Sequence, residues 1–178
     1  RAFPSAKVYT QQREWDDACA NRSVMTRTYF ADHLEPVREQ LNLVDSPRAF
    51  PVGVIPDREA MPPMPVSLRE SALAGLPGVS VFLTPGHTWG QQAIKFTDTQ
   101  GRVVVFTPDV MPTAAHVGAT YNLAYDVEPY ASMVTRRWFL AEAALHDWLL
   151  VLDHEPGNPL RRVRANDKGW YDLVEEAP

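Results

Sequence analysis

Residues 79–90 read Val-Ser-Val-Phe-Leu-Thr-Pro-Gly-His-Thr-Trp-Gly, an apolar run that stops abruptly at a Pro-Gly turn. The run Val79–Leu83 has the length and composition of a β-strand. Pro85 and Gly86 then interrupt regular structure and favour a turn. The stretch therefore predicts a strand whose carboxyl end presents His87, as a strand end offers a metal ligand.

Two further apolar runs stop in the same way. Val103–Phe106 ends at Thr-Pro-Asp, which places Asp109 after the strand, and Trp148–Leu152 ends at Asp-His-Glu, which places His154 there. Neutral imidazole and carboxylate are ligands that zinc, iron and manganese accept, and a carboxylate can bridge two ions. Three predicted strand ends thus present His, Asp and His.

The order of these motifs resembles the metallo-β-lactamase superfamily. TPGHT at residues 84–88 is followed by the strand ending in Asp109, by Met111–His116, and by Asp-His-Glu-Pro at residues 153–156. The resemblance implies an α/β fold, the second half of an αββα sandwich with a mixed sheet and covering helices. It also implies two divalent metal ions, most commonly zinc, with iron or manganese as alternatives. Asp109 would bridge both ions, with His87 at the first and His154 at the second.

The other ligands of this family come from an HxHxDH motif upstream of TPGHT, which this sequence does not contain. His33 is the only histidine before His87, and its neighbours lack the other histidines of the motif. Residues 1–178 therefore resemble only the C-terminal half of the family domain. A complementary N-terminal segment or a homo-oligomer is the partner that this implies.

The function implied by the resemblance is hydrolysis by a metal-activated hydroxide, with this chain supplying part of the site and inactive alone. The family's substrates suggest a small molecule with an ester, lactone or thioester-like bond. The alternative is a non-catalytic half-fold or interaction subunit that pairs with another chain. Pro108 and Gln91, which stand where the family usually has Gly and His, favour that alternative. The three ligand types at matching strand ends favour the hydrolase.

Three more residues lie near these motifs, and the first two of them have two interpretations each. His116 follows Asp109 closely enough to face the same cleft and bind substrate, although packing explains it equally well. Trp89 either lines the substrate pocket or packs. Asp126, shortly before a predicted helix, is expected to cap that helix.

Composition narrows the function classes. The chain has 178 residues, 45% of them hydrophobic, and a net charge of −5, which indicates one globular domain and argues against a nucleic-acid binder. The basic stretch Leu160–Arg164 is expected to be a solvated strand face. Cys19 is the only cysteine, so no cysteine-based zinc site forms, and a cytoplasmic location is mildly favoured. No apolar run approaches the roughly 20 residues that span a membrane.

Local patterns predict the remaining elements. We expect strands over residues 7–11, 41–44, 91–97 and 102–107, a helix over Gln12–Ala20, and a second helix from Glu128-Pro129 to His146. A closing hairpin is expected over residues 160–174. The Pro-rich span 46–67 is predicted to be an extended loop or insertion, either a linker or a lid over the metal cleft.

Overall fold

The computed structural model describes residues 3–20, 29–48 and 69–177. Within these ranges the helices are α1 (Gln12–Ala20), α2 (Ala31–Leu34) and α3 (Pro129–Leu145), with 3-10 turns at Glu35–Gln40 and Ala114–Val117. The strands there are β1 (Val8–Gln11), β2 (Leu41–Val44), β3 (Ser71–Ala72), β4 (Val79–Leu83), β5 (Gln92–Thr97), β6 (Val103–Thr107), β7 (Leu149–Leu152), β8 (Leu160–Ala165) and β9 (Tyr171–Glu175).

The predicted elements form within one or two residues of their expected ends. The helix over Gln12–Ala20 and the strand over Leu41–Val44 begin and end where the sequence pattern placed them. Both predicted hairpins form, since β5 pairs antiparallel with β6 and β8 with β9. Residues 49–67 of the Pro-rich span lie outside the described residues. None of the described helices has the length and apolar character needed to cross a bilayer.

A seven-stranded mixed sheet organises the chain, which confirms the α/β prediction. Its strand order is β3-β4-β5-β6-β7-β8-β9, and β1 pairs with β2 in a separate two-stranded parallel sheet. β4 and β6 both run antiparallel to β5, and β7 runs parallel to β6. The carboxyl ends of β4, β6 and β7 therefore meet at one edge of the sheet.

One face of this sheet is covered by α3. Phe82 on β4, Val105 on β6 and Leu150 on β7 point to this side and are each 0% exposed. Trp138 and Phe139 of α3 pack on Phe82, with ring centroids 5.9 and 6.3 Å away. This buried layer is the hydrophobic core, and it holds the site-bearing strands in register.

The opposite face carries an apolar patch that consists of Ile94, Phe96 and Phe106. Ile94 and Phe106 are cross-strand partners, and Phe96 follows two residues after Ile94, so all three side chains share one face. They are 36%, 36% and 38% exposed. Large apolar side chains grouped in this way commonly mark a surface that another polypeptide covers.

The prediction of a solvated face for Leu160–Arg164 is wrong for its first two arginines. Arg161 and Arg162 are buried, whereas Arg164 is exposed. Arg161 contacts the carboxylates of Glu155 and Glu175 at 3.5 and 3.1 Å. Arg162 likewise contacts Asp147 and Glu176. Acidic residues from neighbouring segments thus pair with these guanidinium groups, which alternation along one strand could not reveal.

Candidate metal centre

His87 lies in a tight turn that continues from β4. Gly86 has a φ of +142°, and a Cβ there would overlap the backbone of Ser132, so only glycine fits. The turn is tied to α3 because the hydroxyl of Thr135 donates to the carbonyl of Pro85 at 2.6 Å. Val127 N donates to His87 O at 3.2 Å. These contacts fix where the imidazole ring projects.

The far end of the same turn packs against α1. A Cβ on Gly90 would overlap the backbone of Glu14, and Gly90 N donates to the Glu14 carboxylate at 3.1 Å. Trp89 is half-buried there, with the Arg13 guanidinium 5.2 Å from its ring centroid and its Nε1 3.4 Å from Glu128 Oε1. Trp89 thus has packing partners on two sides, and its contact with substrate stays a prediction.

A buried carboxylate orients His87. Nδ1 of His87 lies 2.9 Å from Oδ1 of Asp126, whose side chain is 0% exposed. Because a carboxylate accepts, Nδ1 carries the proton of the neutral ring, which leaves the lone pair on Nε2. Burial alone would lower the pKa of His87. The hydrogen bond to Asp126 and the charges of Asp109, Asp126 and Glu14 outweigh burial, so the pKa is raised.

Asp109 lies between two imidazole rings. It follows β6 by two residues, in a turn closed by the hydrogen bond from Met111 N to Pro108 O. Its Oδ2 is 3.6 Å from Nε2 of His87, and its Oδ1 is 3.3 Å from Nε2 of His154. Each carboxylate oxygen therefore faces a different histidine, the arrangement expected of a bridging ligand.

His154 is the exposed member of the group, with 63% of its side chain accessible. Its backbone N–H donates to Pro112 O at 3.0 Å, which ties it to the segment after Asp109. Oδ2 of Asp153 lies 3.5 Å from Nε2 of His154. Asp109, Asp153 and His154 each offer one donor atom within 4.8 Å of the others. Burial and then the charge of Asp109 raise the pKa of Asp153.

His116 lies in the Ala114–Val117 turn on the loop that links β6 to α3. Its Nδ1 is 2.8 Å from Thr113 Oγ1, and Glu155 accepts from Ala114 N at 2.7 Å, which joins this turn to the His154 segment. Burial and the charge of Arg136 lower its pKa despite the nearby carboxylates of Asp109 and Asp126. Its role in substrate binding stays a prediction.

Arg136 of α3 holds this loop through hydrogen bonds. The guanidinium is buried and donates to the carbonyls of Val110, Ala119 and Tyr121 at 2.7, 3.2 and 2.6 Å. Three carbonyls from one loop are thereby satisfied by a single side chain. Tyr125, in the same loop, is 69% exposed, and its ring stands edge-on to that of His87 with ring centroids 5.5 Å apart.

The donor set fits divalent metal ions. Two imidazole Nε2 atoms and two carboxylates converge at one sheet edge, and these are the ligands that zinc and related ions take. Within the described ranges, neither Asp109 nor Asp153 has a Lys or Arg at ion-pair distance. Oδ1 of Asp153 is buried without a hydrogen-bond partner among the described residues. Negative charge without a matching side-chain cation suits a metal site.

The structure brings together the three predicted metal ligands and adds two residues that the sequence analysis did not assign to the site. Asp126 was expected to cap α3, but Glu128 is the N-cap residue and Asp126 bonds to His87. The two partners are 39 positions apart, so no local pattern links them. Asp153 directly precedes His154, and that adjacency was a signal available in the sequence.

Comparison with known proteins gives solved structures only, since no protein-family model and no curated protein matches the sequence. A probable metal-dependent hydrolase from Staphylococcus aureus is 18% identical, with a TM-score of 0.67 over 96% of this chain and 53% of that one. AidC, a dizinc quorum-quenching lactonase in complex with the product N-hexanoyl-L-homoserine, is 14% identical, with a TM-score of 0.70 over 99% and 56%. AbOPH, a hydrolase of the β-lactamase superfamily, is 17% identical, with a TM-score of 0.68 over 99% and 57%.

These similarities show that the chain shares an α/β fold with solved structures of metal-dependent hydrolases. More narrowly, the chain has the fold of half a metallo-β-lactamase superfamily domain. It spans about half the length of the solved structures that it matches, in agreement with the C-terminal half indicated by its motifs.

Proposed function

We propose that this chain supplies one half of the active site of a metal-dependent hydrolase of the metallo-β-lactamase superfamily. The observation that carries the proposal is the position of Asp109, with one carboxylate oxygen towards His87 Nε2 and the other towards His154 Nε2. Two divalent ions, zinc first and iron or manganese as alternatives, would be held by these three residues together with ligands from the other half of such a domain. When bound, such ions polarise the bond under attack and supply hydroxide near neutral pH.

The residues of this chain would prepare and line the site. Asp126 keeps the proton of His87 on Nδ1 and so directs the Nε2 lone pair towards Asp109. His116, with its lowered pKa, is neutral near pH 7 and offers a hydrogen bond to a substrate without adding charge. Tyr125 and Trp89 would contribute aromatic surface to the pocket.

The substrate that we propose is a small molecule with an ester, lactone or thioester-like bond. The structural likeness to AidC, a quorum-quenching lactonase, supports a lactone first. Hydrolysis of each of these bonds leaves a carboxylate, which a metal centre at Asp109 would accept. The acidic net charge of −5 supports neither nucleic acid nor another polyanion as the substrate.

A complementary N-terminal polypeptide, or a second copy of the chain, would complete the site. The sequence lacks HxHxDH, and the chain spans about half of the hydrolases that it resembles. The apolar patch of Ile94, Phe96 and Phe106 lies on the sheet face away from α3 and offers a surface for this partner. The isolated chain should therefore be inactive. A cytoplasmic location stays a prediction from its cysteine content.

The test is hydrolysis by the protein in its native assembly. We expect N-acyl homoserine lactone, p-nitrophenyl acetate or a simple thioester to be hydrolysed, with metal content near two ions per site by plasma mass spectrometry. Asp109→Asn should reduce kcat/KM by at least about a thousandfold, since it removes a ligand shared by both ions. Asp167→Asn, an exposed aspartate in the turn between β8 and β9, is the matched control. Equal activity of D109N and D167N would refute the proposal.

The second candidate function is a non-catalytic half-fold that pairs with another chain. The same apolar patch favours it, as do Pro108 and Gln91 at positions where the family usually has Gly and His. The two functions differ in metal content. An assembly that forms stably, holds no metal and hydrolyses none of the three substrate classes would support the interaction subunit.

A further inference from the structure

We infer that Asp109, Asp153 and His154 form a cation site that this chain completes by itself, with Asp153 as a direct ligand. The inference deepens the proposed function and rests on it in placing metal at this sheet edge. It differs from that function in assigning a third protein ligand to the ion beside His154. It also means that the chain binds one divalent cation without ligands from a second polypeptide.

Asp153 faces its neighbouring histidine in the way that a ligand would. A carboxylate that only orients a metal-binding histidine contacts the ring nitrogen remote from the metal, as Asp126 does at Nδ1 of His87. Asp153 contacts His154 at Nε2, the same nitrogen that faces Asp109. Asp109 and Asp153 therefore both face Nε2 of His154, and an ion between the three donor atoms would contact all of them.

The donor atoms are also spaced as ligands of one ion would be. Ligand atoms in a tetrahedral zinc site lie roughly 3.3–3.6 Å apart when the bonds are about 2.0–2.2 Å long. His154 Nε2 is 3.3 Å from Asp109 Oδ1 and 3.5 Å from Asp153 Oδ2, and both distances match this range. All three residues offer donor atoms within 4.8 Å of one another.

The charge of this cluster also favours a cation. The carboxylates of Asp109 and Asp153 meet here, and no Lys or Arg in the described ranges lies at ion-pair distance from either. A divalent cation beside Oδ1 of Asp109 and Oδ2 of Asp153 would offset the charge of both.

The site is open on one side. His154 has 63% of its side chain exposed, whereas Asp109 and Asp153 have 22% and 17%. Three protein ligands with an accessible side are the pattern of a catalytic ion, which keeps a position for water or substrate. The exposed ring also gives the cation a path from solvent.

The test is Co²⁺ binding by the purified 178-residue chain, followed by its visible absorption bands and by titration calorimetry. We expect one equivalent to bind the wild-type chain. Asp153→Asn should weaken binding by more than about a hundredfold, beyond the roughly 10–100-fold that the loss of an orienting partner costs. His154→Gln should weaken it similarly, and Asp167→Asn should bind as the wild type does.

Asp153→Ser provides a second variant without the carboxylate, and circular dichroism verifies that each variant is folded. Binding by D153N or D153S equal to that of the wild type would overturn the inference and leave the proposed hydrolase intact. A wild-type chain that binds no Co²⁺ would also overturn it and identify the three residues as a hydrogen-bonded cluster. The proposed function fails separately, by activity of D109N in the native assembly.

Discussion

The two faces of the seven-stranded sheet both carry large apolar side chains, but these side chains differ in exposure. Phe82 points towards α3 and is 0% exposed, while Phe106 points the other way and is 38% exposed. The same residue type thus lies in the hydrophobic core on one side and in the exposed apolar patch on the other. Apolar sequence pattern predicts that a strand is buried on both faces, but not which polypeptide buries it.

The sharpest test of this comparison is the same substitution on both faces. Phe82→Ala should lower the free energy of unfolding by about 3–5 kcal/mol, because it leaves a cavity against Trp138 and Phe139. Phe106→Ala, the matched control, should cost about 1 kcal/mol or less in the isolated chain. Urea unfolding followed by circular dichroism measures both. Similar losses for the two variants would mean that the faces are equally well packed.

Arg136 tests whether α3 orders the site loop as well as the core. Arg136→Met keeps the length of the side chain but leaves the carbonyls of Val110, Ala119 and Tyr121 without their donor. We expect a loss of about 1–3 kcal/mol in the free energy of unfolding. Amide hydrogen exchange should rise over residues 110–122. Arg137→Met, at the exposed neighbouring position, should change neither quantity.

The apolar patch is expected to matter for association more than for stability. Replacing Ile94 and Phe106 together with serine should change the free energy of unfolding of the separate chain by roughly 1 kcal/mol or less. It should weaken self-association or binding to the complementary polypeptide by at least about tenfold. Sedimentation velocity measures this over a concentration series. Unchanged association would place the partner surface elsewhere on the chain.

The smallest expected effect is on how the free energy of unfolding depends on pH, through a carboxyl group of α3. Burial raises the pKa of Glu142, against the charges of His146 and Lys95. The folded state therefore holds this proton more tightly than the unfolded chain does. Its stabilising contribution is complete below the unfolded pKa of about 4.3 and is lost as pH rises through the raised folded value.

Glu142→Gln removes this dependence. Relative to the wild type, E142Q should gain stability as pH rises from about 4 to about 7. Urea unfolding at both pH values measures the difference, with Glu35→Gln as a control on an exposed carboxyl. A constant difference between E142Q and the wild type would contradict the assigned direction of the pKa shift.

Elements with strong local signals were predictable from the sequence. α1 and β2 form at their expected positions. The apolar residues of each segment have the spacing of a helix or of a strand, and this pattern lies entirely within the segment. The proximity of His87, Asp109 and His154 also followed from local signals. Each of these residues follows the carboxyl end of a strand, and the three strands, β4, β6 and β7, run in the same direction.

Long-range polar contacts were not predictable. Asp126 looks like a helix cap from its neighbours, and its bond to His87 depends on how the loop before α3 folds back over the β4 turn. In the sequence, Arg161 and Arg162 have the pattern of surface residues. In the structure, Glu155, Glu175 and other acidic residues from separate segments contact them. Ion pairs and hydrogen bonds that depend on tertiary structure produce no periodic pattern in the sequence.

The glycines that bracket His87 have a consequence for engineering. Gly86 touches Ser132 of α3, and Gly90 touches Glu14 of α1, so each position admits no side chain. A library that varies the turn alone would therefore yield few folded members. New specificities should be sought instead on the solvent-facing side of the site, where Tyr125 is 69% exposed.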